Sequence, residues 1–438
     1  MTLSQLFKRC RSVGLVAGLV SAFFCTQLSA DAIDEFADRF IDLGLRFQNY
    51  DSSAYLFLGD KTLVTEAKAD DVSLSDLLVG LERLHEEMSA YQTDDAVLGK
   101  RFKDLRGRVL AMQVRGKILS GEIPRDFETE AKLTFDVTVP HYSEEHFVEL
   151  AQRLDALIPG DDSLPQRVER FRDEFVIPSS KLKDVLSVAI EECRRRTKSY
   201  LNLPQDEHVE LVLVTGMHWV GFTVYEGNSF SKILLNQEVP VHIERALELG
   251  CHEGYPGHHA HASMLQEEVI NKRGWKEYEL IQLIGPMAVM NEGAASYAVD
   301  LAFTRGERLA FERKYLLPLA GLEKTDLERY YHYIDIIDEL NYARNEAARK
   351  YLYGGMSFDD AVQWLIDFGL ETRGTATQRM RFIDAQRAYV VTYNYGKTLV
   401  KRYVEQEAGE DLDARWEVFE KVILTPMSPS ELESALGI

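Results

Sequence analysis

The stretch Leu249-Gly250-Cys251-His252-Glu253-Gly254-Tyr255-Pro256-Gly257-His258-His259 follows a helical pattern that starts near Val241, and then interrupts it. The chain has eleven histidines, and four of them fall between His252 and His261. Imidazoles gathered beside a glutamate supply what a metal site needs, neutral nitrogen ligands and a carboxylate to handle protons. An unbroken helix cannot use them. His252 and His258 are six residues apart, about 600° of rotation, and so face different ways. His252 and His259 share a face but stand about 10.5 Å apart along the axis. Proline leaves the helical hydrogen-bond ladder and glycine accepts backbone angles other residues avoid, so Pro256-Gly257 predicts a bulge or break after Glu253 and a helix resuming near His258. That excursion brings His258 to His252 and turns Glu253 toward the same place. His259 in the role of His258 is the alternative.

Working outward, the next candidate ligand lies on a second helix. Pro286 to Phe303 is apolar nearly all round, which predicts a buried helix, and Glu292 sits in its middle. A buried carboxylate needs a partner. A zinc ion shared with His252 and His258 is one; a structural ion pair with an arginine such as Arg344 is the other. The small residues Gly293 to Ser296 let this helix approach a neighbour closely.

The rest of the chain reads as further helices. Ile33, Phe36, Phe40, Leu43 and Phe47 recur at helical spacing within 32–47, and Leu77, Leu78, Leu81 and Leu84 do so after a cap at Ser73 or Ser75. Amphipathic stretches follow near 96–119, 143–157, 164–174 and 180–200, the last two parted by Ile177-Pro178. Only between about 209 and 237 does the texture change. Val209–Val214, Trp219–Tyr225 and Ser231–Leu235 are β-branched, aliphatic and aromatic, with a turn at Glu226-Gly227-Asn228. The expected fold is mainly α, with a small antiparallel sheet near the site. Residues 31–175 form an N-terminal helical region that packs as one unit with a catalytic region over 176–438. Tyr330, Tyr331, Tyr333 and Tyr342 read as core, Arg194-Arg195-Arg196 as a solvated helix face, and His218 and His242 as packing or exposed residues.

A net charge of -21 repels phosphate backbones, which argues against nucleic acid as a partner. Lys8, Arg9 and Arg11 precede an apolar run from Val13 to Phe24, and small Ser29 and Ala30 follow. This order predicts a secretory signal peptide over 1–30, a periplasmic destination and no membrane span after its removal; lipidation at Cys25 is the alternative. Cys193 and Cys251 then remain, enough for one disulfide.

His-Glu-Gly-Tyr-Pro-Gly-His-His over 252–259 resembles the H-E-x-x-P-G-H-H signature of the bacterial "domain of unknown function 885" family, regarded as relatives of the gluzincin metallopeptidases. Glu292-Gly293-Ala294-Ala295-Ser296-Tyr297 is similar to that family's E-G-W-A-x-Y, and Thr392-Tyr393-Asn394-Tyr395-Gly396-Lys397 to its A-Y-x-x-G-K. The likeness spans roughly 175–405. It implies a large helical gluzincin-like catalytic domain, zinc bound by His252, His258 and Glu292, Glu253 as general base, and Tyr393 as a hydroxyl that polarises the carbonyl or steadies the oxyanion, a role open also to Tyr255. Two departures concern the substrate pocket: Ala294 stands for the family's tryptophan, and Arg387-Ala388-Tyr389 for Pro-Gly-Gln. The expected activity is zinc-dependent hydrolysis of peptide bonds. The alternatives are amide hydrolysis in a small non-peptide substrate and an inactive helical scaffold that retains a metal.

Overall fold

The computed structural model describes residues 26–27, 29–217 and 219–438, so most of the leader, with Cys25, and His218 lie outside the described residues. The fold is mainly helical with small sheets. The expected helices form with ends shifted by up to three residues: Ala30–Phe47, Leu74–Met88, Ala96–Leu119, Glu144–Leu157, Leu164–Asp173 and Ser179–Thr197. Caps set several starts. The Ser73 hydroxyl accepts from the Asp76 N–H at 3.1 Å, and the Asp95 carboxylate from the amides of Val97 and Leu98, each at 2.9 Å. Two helices escape periodicity, Lys61–Ala69 and Phe127–Phe135; the first buries only Ala67 and so carries little apolar signal.

The sheet is made of His208–Val214, Phe230–Asn236 and Gly221–Gly227, in that spatial order. The last two form the expected antiparallel pair. The first strand instead joins the far side of the central one in parallel, with His208 opposite Phe230 and Val214 opposite Asn236. The first strand and Gly221–Gly227 therefore form no hairpin; Gly221–Gly227 lies at an edge of the sheet, where Thr223 meets Glu253.

One continuous apolar core runs from Ile33 to Leu432. The N-terminal helices brace the segments that lead into the two helices at the site. Arg101 Nε donates to Glu277 at 2.6 Å, Arg108 donates to the carbonyls of Glu277 and Leu280, and Tyr55–Phe57 pairs antiparallel with Leu280–Gln282, just before the Pro286–Ala302 helix. That helix lies against Val391–Ala408 at a crossing only glycines permit. A Cβ at Gly293 would lie 2.5 Å from the Gly396 carbonyl oxygen, and one at Gly396 2.9 Å from that of Val289. The small residues after Glu292 therefore bring Tyr393 and its helix to the carboxylate. Among the described residues no helix is long and apolar enough to cross a membrane. Tyr330, Tyr331, Tyr333 and Tyr342 are buried, and so is His242, whose pKa burial lowers to about 3.

Candidate metal centre

The helix Ile243–Leu249 widens into a π turn over Gly250–Gly254, breaks through a cis Tyr255–Pro256 peptide, and resumes at His258. The Gly257 N–H donates to the Cys251 carbonyl at 2.9 Å and folds the chain back on itself. No side chain fits there, since a Cβ on Gly257 would stand 1.9 Å from the His252 carbonyl oxygen. This detour sets the His252 and His258 rings edge to face, with centroids 4.7 Å apart. A disulfide between Cys193 and Cys251, with Cα atoms 5.4 Å apart, ties the turn to the Ser179–Thr197 helix.

Glu292 meets both imidazoles. Its Oε2 is 3.5 Å from His252 Nε2 and its Oε1 3.7 Å from His258 Nε2, and one ligand atom from each of the three residues lies within 4.8 Å of the others. Ligands at zinc bond lengths in a tetrahedron stand roughly 3.4 Å apart. The residues fit such an ion on a second count: Glu292 Oε2 is buried and accepts no hydrogen bond. All three side chains keep some exposure to solvent. Burial disfavours the His252 cation, but Glu292 and Glu253 outweigh it and raise its pKa; at His258 burial prevails and lowers it. Arg344 pairs with Glu371 at 2.9 Å and leaves Glu292 to the histidines.

Glu253 is buried behind this trio. The Thr223 hydroxyl, from the edge strand, lies 2.7 Å from its Oε2 and 2.9 Å from its carbonyl oxygen. Gly221, on the same face of the strand, leaves Oε1 uncovered, and Oε1 has no hydrogen bond among the described residues. Tyr393 is 43% exposed, with its ring 5.7 Å from that of Tyr389, and partial burial of its phenol together with the Glu292 charge raises it above the usual range, so it is a donor at neutral pH. Tyr389 reaches Glu292 Oε1 at 3.5 Å. The departure at 387–389 has its own support: Arg387 adopts φ 55°, which a proline cannot, and Glu130 holds it through a guanidinium pair at 2.8 Å while also accepting from the Ala388 N–H.

His259 and Tyr255 have other work. His259 is fully buried, with Nδ1 2.8 Å from Ser231 Oγ and Nε2 3.2 Å from Glu207 Oε2, and the Tyr255 hydroxyl donates to the same carboxylate at 2.5 Å. Neither faces Glu292. Lys198 and Arg194 pair with the other oxygen at 2.6 and 2.9 Å. Arg194 thus leaves the expected solvated face, as does Arg196, which donates to the Ala302 carbonyl. Burial works against the Glu207 charge, but hydrogen bonds from His259, Lys198, Tyr255 and Arg194 overcome it and bring the carboxyl to about 2. A depressed carboxyl stabilises the fold above its ordinary pKa and loses that effect as pH falls toward the folded value. Glu207→Gln should therefore cost about 3 kcal/mol at neutral pH. The gap from wild type should close between about pH 4.5 and 2, read from urea titrations at each pH. Glu207 carries no local signature, because its partners come from three separate elements.

No family model matches the chain, and no curated protein does. Among solved structures it is similar to a candidate lipoprotein from Colwellia psychrerythraea, at 13% identity and TM-score 0.50, over 92% of this chain and 76% of that one. It is similar also to a candidate lipoprotein of unknown function from Shewanella oneidensis, at 13% identity and TM-score 0.42, over 93% of this chain and 78% of that one. At such identity the likeness to the Colwellia chain shows a shared fold and nothing of the chemistry.

Proposed function

We propose that this chain is a zinc-dependent hydrolase of peptide bonds that works outside the cytoplasm. One observation carries the reading: His252, His258 and Glu292 converge within 4.8 Å, and the charge of Glu253, the residue after His252, acts on both imidazoles. When bound, a zinc ion with two histidines and a glutamate supplies Lewis acidity to a water and to a carbonyl oxygen. The chain's own residues do the remainder. Glu253, oriented through Oε2 by Thr223, has Oε1 free to take the proton of the attacking water and return it to the leaving amine. Tyr393 can donate its hydroxyl proton to the developing oxyanion. The outer edge of Gly221–Gly227, whose Thr223 touches Glu253, can pair with an extended substrate.

Both cysteines of the disulfide are fully buried, and a pairing of this kind persists in oxidising compartments, which supports the export expected from the leader. Elemental analysis of the purified protein should find close to one equivalent of zinc, and a peptide-library digest should show cleavage that a chelator stops and zinc restores. A protein that holds no divalent ion removes this reading.

A further inference from the structure

Glu130 belongs to the N-terminal helix Phe127–Phe135 and is buried, so its charge needs partners, and it finds them far along the chain. Its Oε1 accepts from the Ala388 N–H at 3.2 Å and its Oε2 from Arg387 Nη2 at 2.8 Å. The Tyr353 hydroxyl donates to Oε2 as well, and Arg387 Nη2 lies 3.1 Å from that hydroxyl. Arg387 stands at φ 55° and ψ -125°. Such a backbone is costly for a residue with a side chain and persists only where its surroundings over-determine it. Two residues on comes Tyr389. Three rings meet its ring at steep angles: Phe135, from the same helix as Glu130, with centroids 6.1 Å apart, Phe382 at 5.9 Å and Tyr393 at 5.7 Å. The hydroxyl so placed lies 3.5 Å from Glu292 Oε1. The other oxygen of Glu292 is buried, accepts no hydrogen bond and stands 3.5 Å from His252 Nε2.

We propose that Tyr389 is a positioning residue of the metal centre: its hydroxyl holds Glu292 Oε1, which leaves Oε2 as the atom offered to the ion, and Glu130 fixes Tyr389 there through Arg387. This rests on the zinc reading and goes beyond it, because it brings the N-terminal helices into the site. Tyr393 and Thr392 also adjoin the Tyr389 hydroxyl. The carboxylate is the charged acceptor among these groups, and the single phenolic proton goes to it. A carboxylate ligand tied by one oxygen to an outer donor cannot swing, so it presents the remaining oxygen in one orientation. The strained backbone at Arg387 then has a use, since it aims residue 389 at Glu292.

Tyr389→Phe keeps the ring and its three neighbours and removes only the hydroxyl. Metal-free wild type and variant are titrated with zinc against a competing chelator, and each is melted without metal. The variant should bind zinc roughly 10- to 100-fold more weakly and, metal-free, should melt at the wild-type temperature. Cobalt(II) in place of zinc reports the ligand geometry. Its visible spectrum should change in the variant, where Glu292 is free to turn, and loss of a merely structural contact does not move that readout. Glu130→Gln keeps the shape of its side chain and loses the charge, so it should weaken zinc binding by a smaller factor. Wild-type affinity and spectrum in Tyr389→Phe overturn the assignment and leave the zinc site standing. Weaker binding with a lower metal-free melting temperature and an unchanged cobalt spectrum overturns it too, because packing then explains the loss. Wild-type affinity in Glu130→Gln removes the clamp from the N-terminal helix. A wild-type chain that binds no zinc removes the hydrolase reading and this inference together.

Discussion

Glu253→Gln should lower turnover by about 1,000-fold while zinc stays bound and the fold is unchanged. The substitution is close to isosteric. Glutamine's carbonyl oxygen can still accept from the Thr223 hydroxyl, which lies 2.7 Å from Oε2 in the native side chain, so the orientation survives. What disappears is the basicity of Oε1, which accepts no hydrogen bond among the described residues and which Gly221 leaves uncovered. Glu253 is not among the three converging ligands, so metal content should stay near wild type. Single-turnover kinetics with elemental analysis on the same sample make the check. Full activity in the variant removes Glu253 as the base; loss of zinc along with activity makes it a ligand or a structural prop instead.

Glu292→Ala should abolish activity by a different route, through the metal. Two imidazoles alone make a poor zinc site, and loss of a direct ligand should weaken binding by more than the roughly 10- to 100-fold typical of outer partners. The folding consequences separate this from simple damage. Without metal, Glu292 keeps one oxygen buried and unbonded, but burial is outweighed by His258, His252 and Tyr389, which hold its carboxyl below the usual range. Its removal should therefore destabilise the metal-free protein only modestly. Zinc should then stabilise wild type by about 4 kcal/mol at a free concentration 1,000 times its dissociation constant, and the variant hardly at all. His258→Ala should behave alike in zinc content. Thermal melts with and without zinc settle the matter; equal stabilisation of both proteins would place the ion elsewhere.

Much of this arrangement could be read along the chain. Helical spacing over 32–47 and 96–119, and the shift to β-branched residues near 209, are local signals that local structure follows. The detour at Pro256-Gly257 was legible for the same reason, since a proline and a glycine act on their own backbone. Glu292 stood out because a carboxylate in the middle of a mostly apolar helix needs a partner. The parallel seating of His208–Val214 was not legible, because all three strands have the same composition and only the crossover at 215–220 decides their order. Nor was the choice between His258 and His259. Both follow Gly257, and Glu207, some fifty residues earlier, claims His259.

The sequence by itself determined what depends on neighbours in the chain: the helices, the strands, the break after Glu253 and the set of residues able to hold a metal. Tertiary structure alone decided which of those residues meet, that Arg344 turns to Glu371 while Glu292 turns to two imidazoles, and that Gly293 and Gly396 bring Tyr393 and its helix to the site. The reason is one of range. Backbone angles and helical periodicity act over a few residues, whereas a buried charge takes whichever partner the packed core brings within reach.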